Sequence, residues 1–272
     1  MAFMTIYWKN EAKLAAIEWA AKKLRYSIDR LNMNSRGITE SLDDKIMGDL
    51  ATIAVAEFFR SSGFAAIAYD QIRTDNFQTP DPGWDLLISK RGIGLGPWAR
   101  KVQSLKISPD DIPEYAVTVS VKSSRLPRGY NLEKALKRCD FKVLNEHDNN
   151  IAKDLKAQIE TQVYFDLNKS QLNGLRIIDE HIDEACKDTI EDRSNCSIIF
   201  DQLQIEHRYI PCILTRWNYS GKILDYSNNL AKQNKKRTWN SPHDGETKSM
   251  WLAPLREGKS FHEIHEIFEH LP

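Results

Sequence analysis

Pro80-Asp81-Pro82-Gly83-Trp84-Asp85-Leu86-Leu87-Ile88-Ser89 is the stretch whose reading decides the fold, and its counterpart is Tyr115-Ala116-Val117-Thr118-Val119-Ser120-Val121-Lys122-Ser123-Ser124-Arg125. Each contains a strand-length run of apolar and β-branched residues bounded by breakers or charge, which is how a short strand reads in sequence. The first run opens with a carboxylate, Asp85, and the second closes with an ammonium, Lys122. If the two strands pair, both groups can converge on a divalent ion and an attacking water. That arrangement suits phosphodiester hydrolysis.

Working outward, residues 64–69 form an apolar strand preceded by a helix from Ser41 to Ser62 that Gly63 closes. Asp43 and Asp44 sit in that helix's first turn, where negative charge suits the helix dipole. Helix, strand, Asp strand and Lys strand in this order predict an α/β fold, a mixed central sheet flanked by helices, with added N- and C-terminal helical segments. The expected organisation is an N-terminal helical extension over 1–37, an α/β core over 38–225, and a basic linker with a C-terminal helix over 226–272.

Within this frame, Trp8 to Leu31 lacks Gly and Pro and spaces its apolar residues as an amphipathic helix, a packing element or a dimer surface. The glycine-spaced run 91–98 reads as a loop with basic neighbours, because its spacing is wrong for a dinucleotide fingerprint. Asn131 caps a short helix from Leu132 to Arg138. A helix from Ile151 to about Glu160 is expected to lead into a strand from Thr161 to Leu167, followed by a helix from about Ser170 through Ala185. Tyr209 to Trp217 reads as a strand turning at 219–221 into a second strand at 222–224, and a final helix spans about Phe261 to His270.

Lys plus Arg equals Asp plus Glu at 38 each, so the molecule has no global field to attract a nucleic acid, and any such contact needs a local patch. Hydrophobic residues at 41% and charged residues at 28% exclude wholesale disorder. No apolar run approaches the ~20 residues of a membrane span and no signal-peptide block is present, so a cytoplasmic location without membrane contact is the expectation. The four cysteines, Cys139, Cys186, Cys196 and Cys212, form no C-x-x-C pair and read as reduced thiols.

Several residues stand out against this background. Asp49 and Glu57 lie eight residues apart on the otherwise apolar 41–62 helix, either at a rim or reaching toward the metal. The run Ser123-Ser124-Arg125-Leu126-Pro127-Arg128 is basic and hydroxyl-bearing, a composition that binds phosphate, so Ser123, Ser124, Arg125 and Arg128 are candidate DNA contacts. Lys232, Lys235, Lys236 and Arg237 make a basic segment, either a solvated linker or a nucleic-acid contact. His262, His265 and His270 lack the i,i+4 pair of a zinc-protease helix and read as surface imidazoles.

Pro-Gly-Trp-Asp85 opening one strand, Ser120-Val121-Lys122 closing the next, and the preceding helix with Gly48-Asp49 resemble the PD-(D/E)xK nuclease superfamily, the fold of many type II restriction enzymes. The resemblance covers about residues 42 to 125. It implies a restriction-endonuclease-like core and a Mg²⁺-dependent DNA endonuclease, with Mn²⁺ able to substitute, acting as a homodimer on double-stranded DNA. Asp85 would bind the metal and Lys122 would position the water. One departure matters: the acid two residues before the lysine is Ser120. In enzymes of this family that cleave CCGG-containing sites, a glutamate from a following helix takes over, and by that analogy Glu133 becomes the candidate, with Asp49 or Glu57 as further metal ligands. A catalytically inactive DNA-binding protein, or a nuclease selective for RNA or branched structure, is the alternative.

Overall fold

The computed structural model describes residues 4–26, 37–127, 129–141, 155–166, 178–233, 238–240, 247–249 and 253–269. Strand β1 (Met4–Ile6) and helix α1 (Asn10–Leu24) lead to the 24-residue helix α2 (Ile38–Ser61). Strands β2 (Ala65–Ala68) and β3 (Leu86–Ser89), helix α3 (Gly96–Gln103) and strand β4 (Ala116–Arg125) follow. Next come α4 (Leu132–Arg138), β5 (Asp140–Phe141), β6 (Ile159–Phe165), α5 (Asp179–Glu191) and α6 (Cys196–Gln202). The described chain ends with β7 (Cys212–Tyr219), α7 (Ser220–Lys232), β8 (Thr238–Asn240), β9 (Thr247–Ser249), β10 (Ala253–Pro254) and a 3₁₀ segment over Phe261–Phe268.

The expected mixed sheet is present, with strand order β1-β7-β6-β4-β3-β2. Strands β4 and β6 run parallel, and the other pairs in this sheet are antiparallel. One face is covered by α2, whose residues are buried on nearly every side because the helix is held between the sheet and α1, with α5 also against it. Gly63, at φ +86°, ends α2 with Phe64 N–H donating back to the Phe59 carbonyl, the left-handed stop that glycine favours. Phe58 and Phe261 meet edge to face at 5.2 Å, so the C-terminal segment is packed into the same core.

Some boundaries differ from those expected. Residues 4–24 pack into the same body: β1 pairs with β7, and the apolar stripe of α1 is buried against α2, α5 and α6. The 91–98 run holds the start of α3, since Pro97 fits a helix's first turn and Trp98, Ala99 and Val102 are buried. The expected strand at 222–224 is instead part of α7, where Ile223, Tyr226 and Leu230 have helical spacing. That helix also crosses the expected boundary at 226. Residues 155–158 are not helical, and β6 begins at Ile159. The positions 151–154, 170–177, Lys235, Lys236, Arg237 and His270 lie outside the described residues, and the described His262 and His265 are exposed.

The end of β4 is fastened to α2 by a buried ionic cluster. Asp43, about 1% exposed, accepts from the Arg208 guanidinium and the Tyr209 hydroxyl through Oδ1 and from Arg125 through Oδ2. Arg125 also reaches Asp44 at 2.7 Å. Removing one partner of such a cluster leaves buried charges uncompensated, which costs about 3–5 kcal/mol. Asp43→Ala is therefore expected to lower the unfolding free energy by that amount in urea denaturation. A loss under about 1 kcal/mol, the size of an exposed pair, would show that the cluster does not hold β4 in place.

Candidate active site

The site follows from strand alternation. Along β4, Val117, Val119 and Val121 point into the core with α2, so Thr118, Ser120 and Lys122 lie on the opposite face. Leu86 pairs with Val119, which sets Asp85 beside Ser120. The Asp85 backbone N–H donates to the Val119 carbonyl at 2.9 Å, and its Oδ2 accepts the Val121 N–H at 2.6 Å, fixing the carboxylate at the strand mouth. On the other side of β4, the parallel strand β6 sets Glu160 opposite Ser120 and Gln162 opposite Lys122. Strand β7 continues both rows, with Asn218 opposite Glu160 and Arg216 opposite Gln162.

A polar strip therefore crosses this face, with Asp85, Ser120, Glu160 and Asn218 in one row and Lys122, Gln162 and Arg216 in the next. Apolar clusters bound it on both sides. Trp84, Leu87, Trp98 and Ala157 pack at the β3 end, and Phe141, Tyr164, Ile213 and Leu255 at the β7 end. Polar side chains gathered between two apolar cores are costly unless hydrogen-bonded; Asp85, Gln162 and Asn218 have protein partners, whereas Glu160 Oε2 and Arg216 Nε have none.

Glu160 is the most perturbed member. Burial raises its carboxyl from 4.5 to about 7, opposed by the nearby Lys122 charge and the Ser120 hydroxyl and assisted by Asp85. Its Oε2 is buried without a hydrogen-bond partner. An orphaned carboxylate oxygen near Asp85 suits a hard divalent cation such as Mg²⁺, which takes one or two protein carboxylates and completes its shell with water. Among the described residues, no group of three His, Cys, Asp or Glu side chains is placed to hold a metal, so Asp85 and Glu160 would be the carboxylates.

The approach to Asp85 is built on a tethered loop. Arg73 bonds both oxygens of Asp75 at 2.8 and 3.0 Å, Asp81 at 2.7 Å and the Thr79 carbonyl at 2.6 Å, closing residues 73–81 on themselves. Gly83 follows at φ +98°, and the Lys156 stem occupies the space a Cβ would need, so both conformation and packing require glycine there. Trp84 then packs against Tyr69 and Trp98, with ring centroids 5.3 and 6.2 Å away.

The structure brings Asp85 and Lys122 to one site and leaves the other expected residues elsewhere. Glu133 is exposed in α4 and pairs with Lys137 at 2.6 Å, which lowers its pKa. Asp49 and Glu57 belong to α2, on the far face of the sheet. Asp49 is buried against Lys23, which also binds Asp70, and Glu57 lies near Arg60 and Cys212. The expected phosphate-binding loop at 123–125 instead continues β4. Ser123 faces Gly48 of α2, Ser124 is buried with its hydroxyl on the Ser123 carbonyl, and Arg125 is bound to Asp43 and Asp44. Arg128 lies outside the described residues. The carboxylate that stands beside Ser120 is Glu160, and its sequence signal was the strand-like run Ile159-Glu160-Thr161-Gln162-Val163-Tyr164-Phe165.

Comparison with family models, with curated proteins and with solved structures finds no match to this chain.

The raised pKa of Glu160 has a stability consequence. The folded protein keeps this proton up to about pH 7, whereas an ordinary glutamate loses it near 4.5. The resulting stabilisation is complete below pH 4.5, declines as pH rises through the interval and is absent above 7. Between pH 5 and 8, wild type should lose stability relative to Glu160→Gln, by an amount on the order of 3 kcal/mol at most. Urea denaturation of both proteins at the two pH values measures it, and parallel curves would contradict the burial assigned to Glu160.

Proposed function

We propose that this chain is a metal-dependent endonuclease that hydrolyses phosphodiester bonds of double-stranded DNA, with Mg²⁺ or Mn²⁺ as cofactor and a restriction-endonuclease-like core. The observation that carries the reading is the meeting of Asp85, Lys122 and Glu160 around Ser120, from three adjacent strands. In this reading Glu160 supplies the acid missing at position 120, from the neighbouring strand instead of from α4. A homodimer would give two such sites for a two-fold symmetric target.

Asp85 and Glu160 would hold the ion, which when bound would activate water and counter the charge growing on the phosphate. Asp85 is oriented for this by the Val121 N–H. Glu160 would have to give up its proton to hold the ion, which would link binding to proton release below about pH 7. Lys122, beside Glu160, neutralises phosphate oxygens or orients the attacking water. Ser120 cannot ligate as a carboxylate, and its hydroxyl beside Glu160 favours the ionised form of that carboxyl.

A DNA-binding protein without hydrolytic activity is the second reading, favoured by the presence of only two carboxylates at the site among the described residues. Relaxation of supercoiled plasmid in Mg²⁺ or Mn²⁺ separates the two. The nuclease reading expects Asp85→Ala, Lys122→Ala and Glu160→Gln each to slow cleavage at least ~100-fold, the scale on which one transition-state contact acts. Glu133→Ala should cut as wild type does. Cleavage undiminished in Glu160→Gln and abolished in Glu133→Ala would return the missing acid to α4 and refute this site.

A further inference from the structure

We infer that Arg216 is a substrate-anchoring residue that binds a backbone phosphate next to the one being cleaved; this rests on the nuclease reading above. Arg216 lies opposite Gln162 in β7, and Gln162 lies opposite Lys122 in β4, so the two cations share one row of the polar strip. Two strand spacings, roughly 10 Å, separate their backbones. A cation at that separation meets a neighbouring phosphate while Lys122 meets the scissile one.

Three further observations support the assignment. The Nε of Arg216 is buried and has no hydrogen-bond partner. No carboxylate forms an ion pair with Arg216 among the described residues, in contrast to Arg73, Arg125 and Arg208, each bound to aspartates. The base of the side chain is also closely covered: a Cβ at Gly258 would lie 3.0 Å from the Arg216 Cβ and 2.6 Å from Phe141, so the chain passes this close to Arg216 only because residue 258 is glycine. A guanidinium with a buried, unpartnered N–H and no carboxylate paired to it can take an anion, and the bidentate fork of arginine matches phosphate geometry.

Arg216 lies on β7, one strand beyond Glu160 and two strands beyond Lys122. It is expected to affect binding more than the chemical step.

The test uses the full chain carrying Glu160→Gln, so that the probe stays intact, with a fluorescently labelled 20-base-pair DNA duplex read by anisotropy across a salt series. Adding Arg216→Ala should weaken binding about tenfold and reduce the salt slope by about one phosphate contact. Arg216→Lys should recover part of the affinity. Unchanged affinity and slope in Arg216→Ala would overturn the inference. Thermal melting provides the second readout: Arg216→Met, which keeps the aliphatic stem, should melt at or above the parent temperature, since no ion pair is lost. A clear fall in its melting temperature, with duplex binding intact, would assign Arg216 a structural role instead. In cleavage by the otherwise wild-type chain, Arg216→Ala should raise KM with little change in kcat. If the wild type cleaves nothing in either metal, the nuclease reading fails while the anisotropy result still decides whether Arg216 holds phosphate. If it cleaves and Arg216→Ala matches it in both measurements, only the arginine assignment fails.

Discussion

The constraint on which this molecule depends is the two-residue period of β4. One parity, Val117, Val119 and Val121, fills the core beneath α2, and the other, Thr118, Ser120 and Lys122, must then face the opposite side. A slip of one residue would drive Lys122 into the α2 core and bring the valines out, so the burial of the valines beneath α2 fixes the polar set on the other face of the sheet. The same register places Asp85 from β3 and Glu160 from β6 on either side of Ser120. Site geometry and core packing are thus one and the same specification.

The elements around this strand serve to hold it rather than to add chemistry. Arg125, the last residue of β4, is clamped to Asp43 and Asp44 at the start of α2. The segment before β6 is tied to β4 through Gln158, whose side-chain oxygen accepts the Thr118 N–H at 3.0 Å and whose own N–H donates to the Thr118 hydroxyl at 3.0 Å. Such contacts on rigid strands fix the relative height of Asp85, Lys122 and Glu160 more closely than loops would. The acids of α2 take part in this support. Asp49 joins Lys23 and Asp70, and Asp81 lies between that group and Asp85, so the α2 face and the polar face communicate electrostatically at the end of β3.

Much of this was legible in the sequence, and the part that was not has a specific cause. The long buried helix, its glycine stop, the Asp strand, the Lys strand and the short capped helix at 132–138 all carry strong local signals, and each is where its pattern puts it. The fourth member of the site was hidden by a boundary. Ile151 to Glu160 has a composition that suits a helix, so Glu160 reads as a helix end, whereas β6 starts one residue before it. Local propensity gave way to pairing with β4. The run 123–125 differs for the opposite reason: hydroxyl-rich and basic, it resembles a loop, but its backbone is claimed by β6 and its arginine by α2.

The charge balance of the strip completes the argument. Lys122 and Arg216 bring two positive charges to a strip where burial raises the pKa of one of the two carboxyls, Glu160, to about 7. Neither cation forms an ion pair among the described residues, and the Nε of Arg216 is buried without a hydrogen-bond partner. In the nuclease reading proposed above, an arriving phosphodiester would bring negative charge to the Lys122–Arg216 row, while a divalent ion would stabilise the ionised form of Glu160 on the Asp85–Glu160 row.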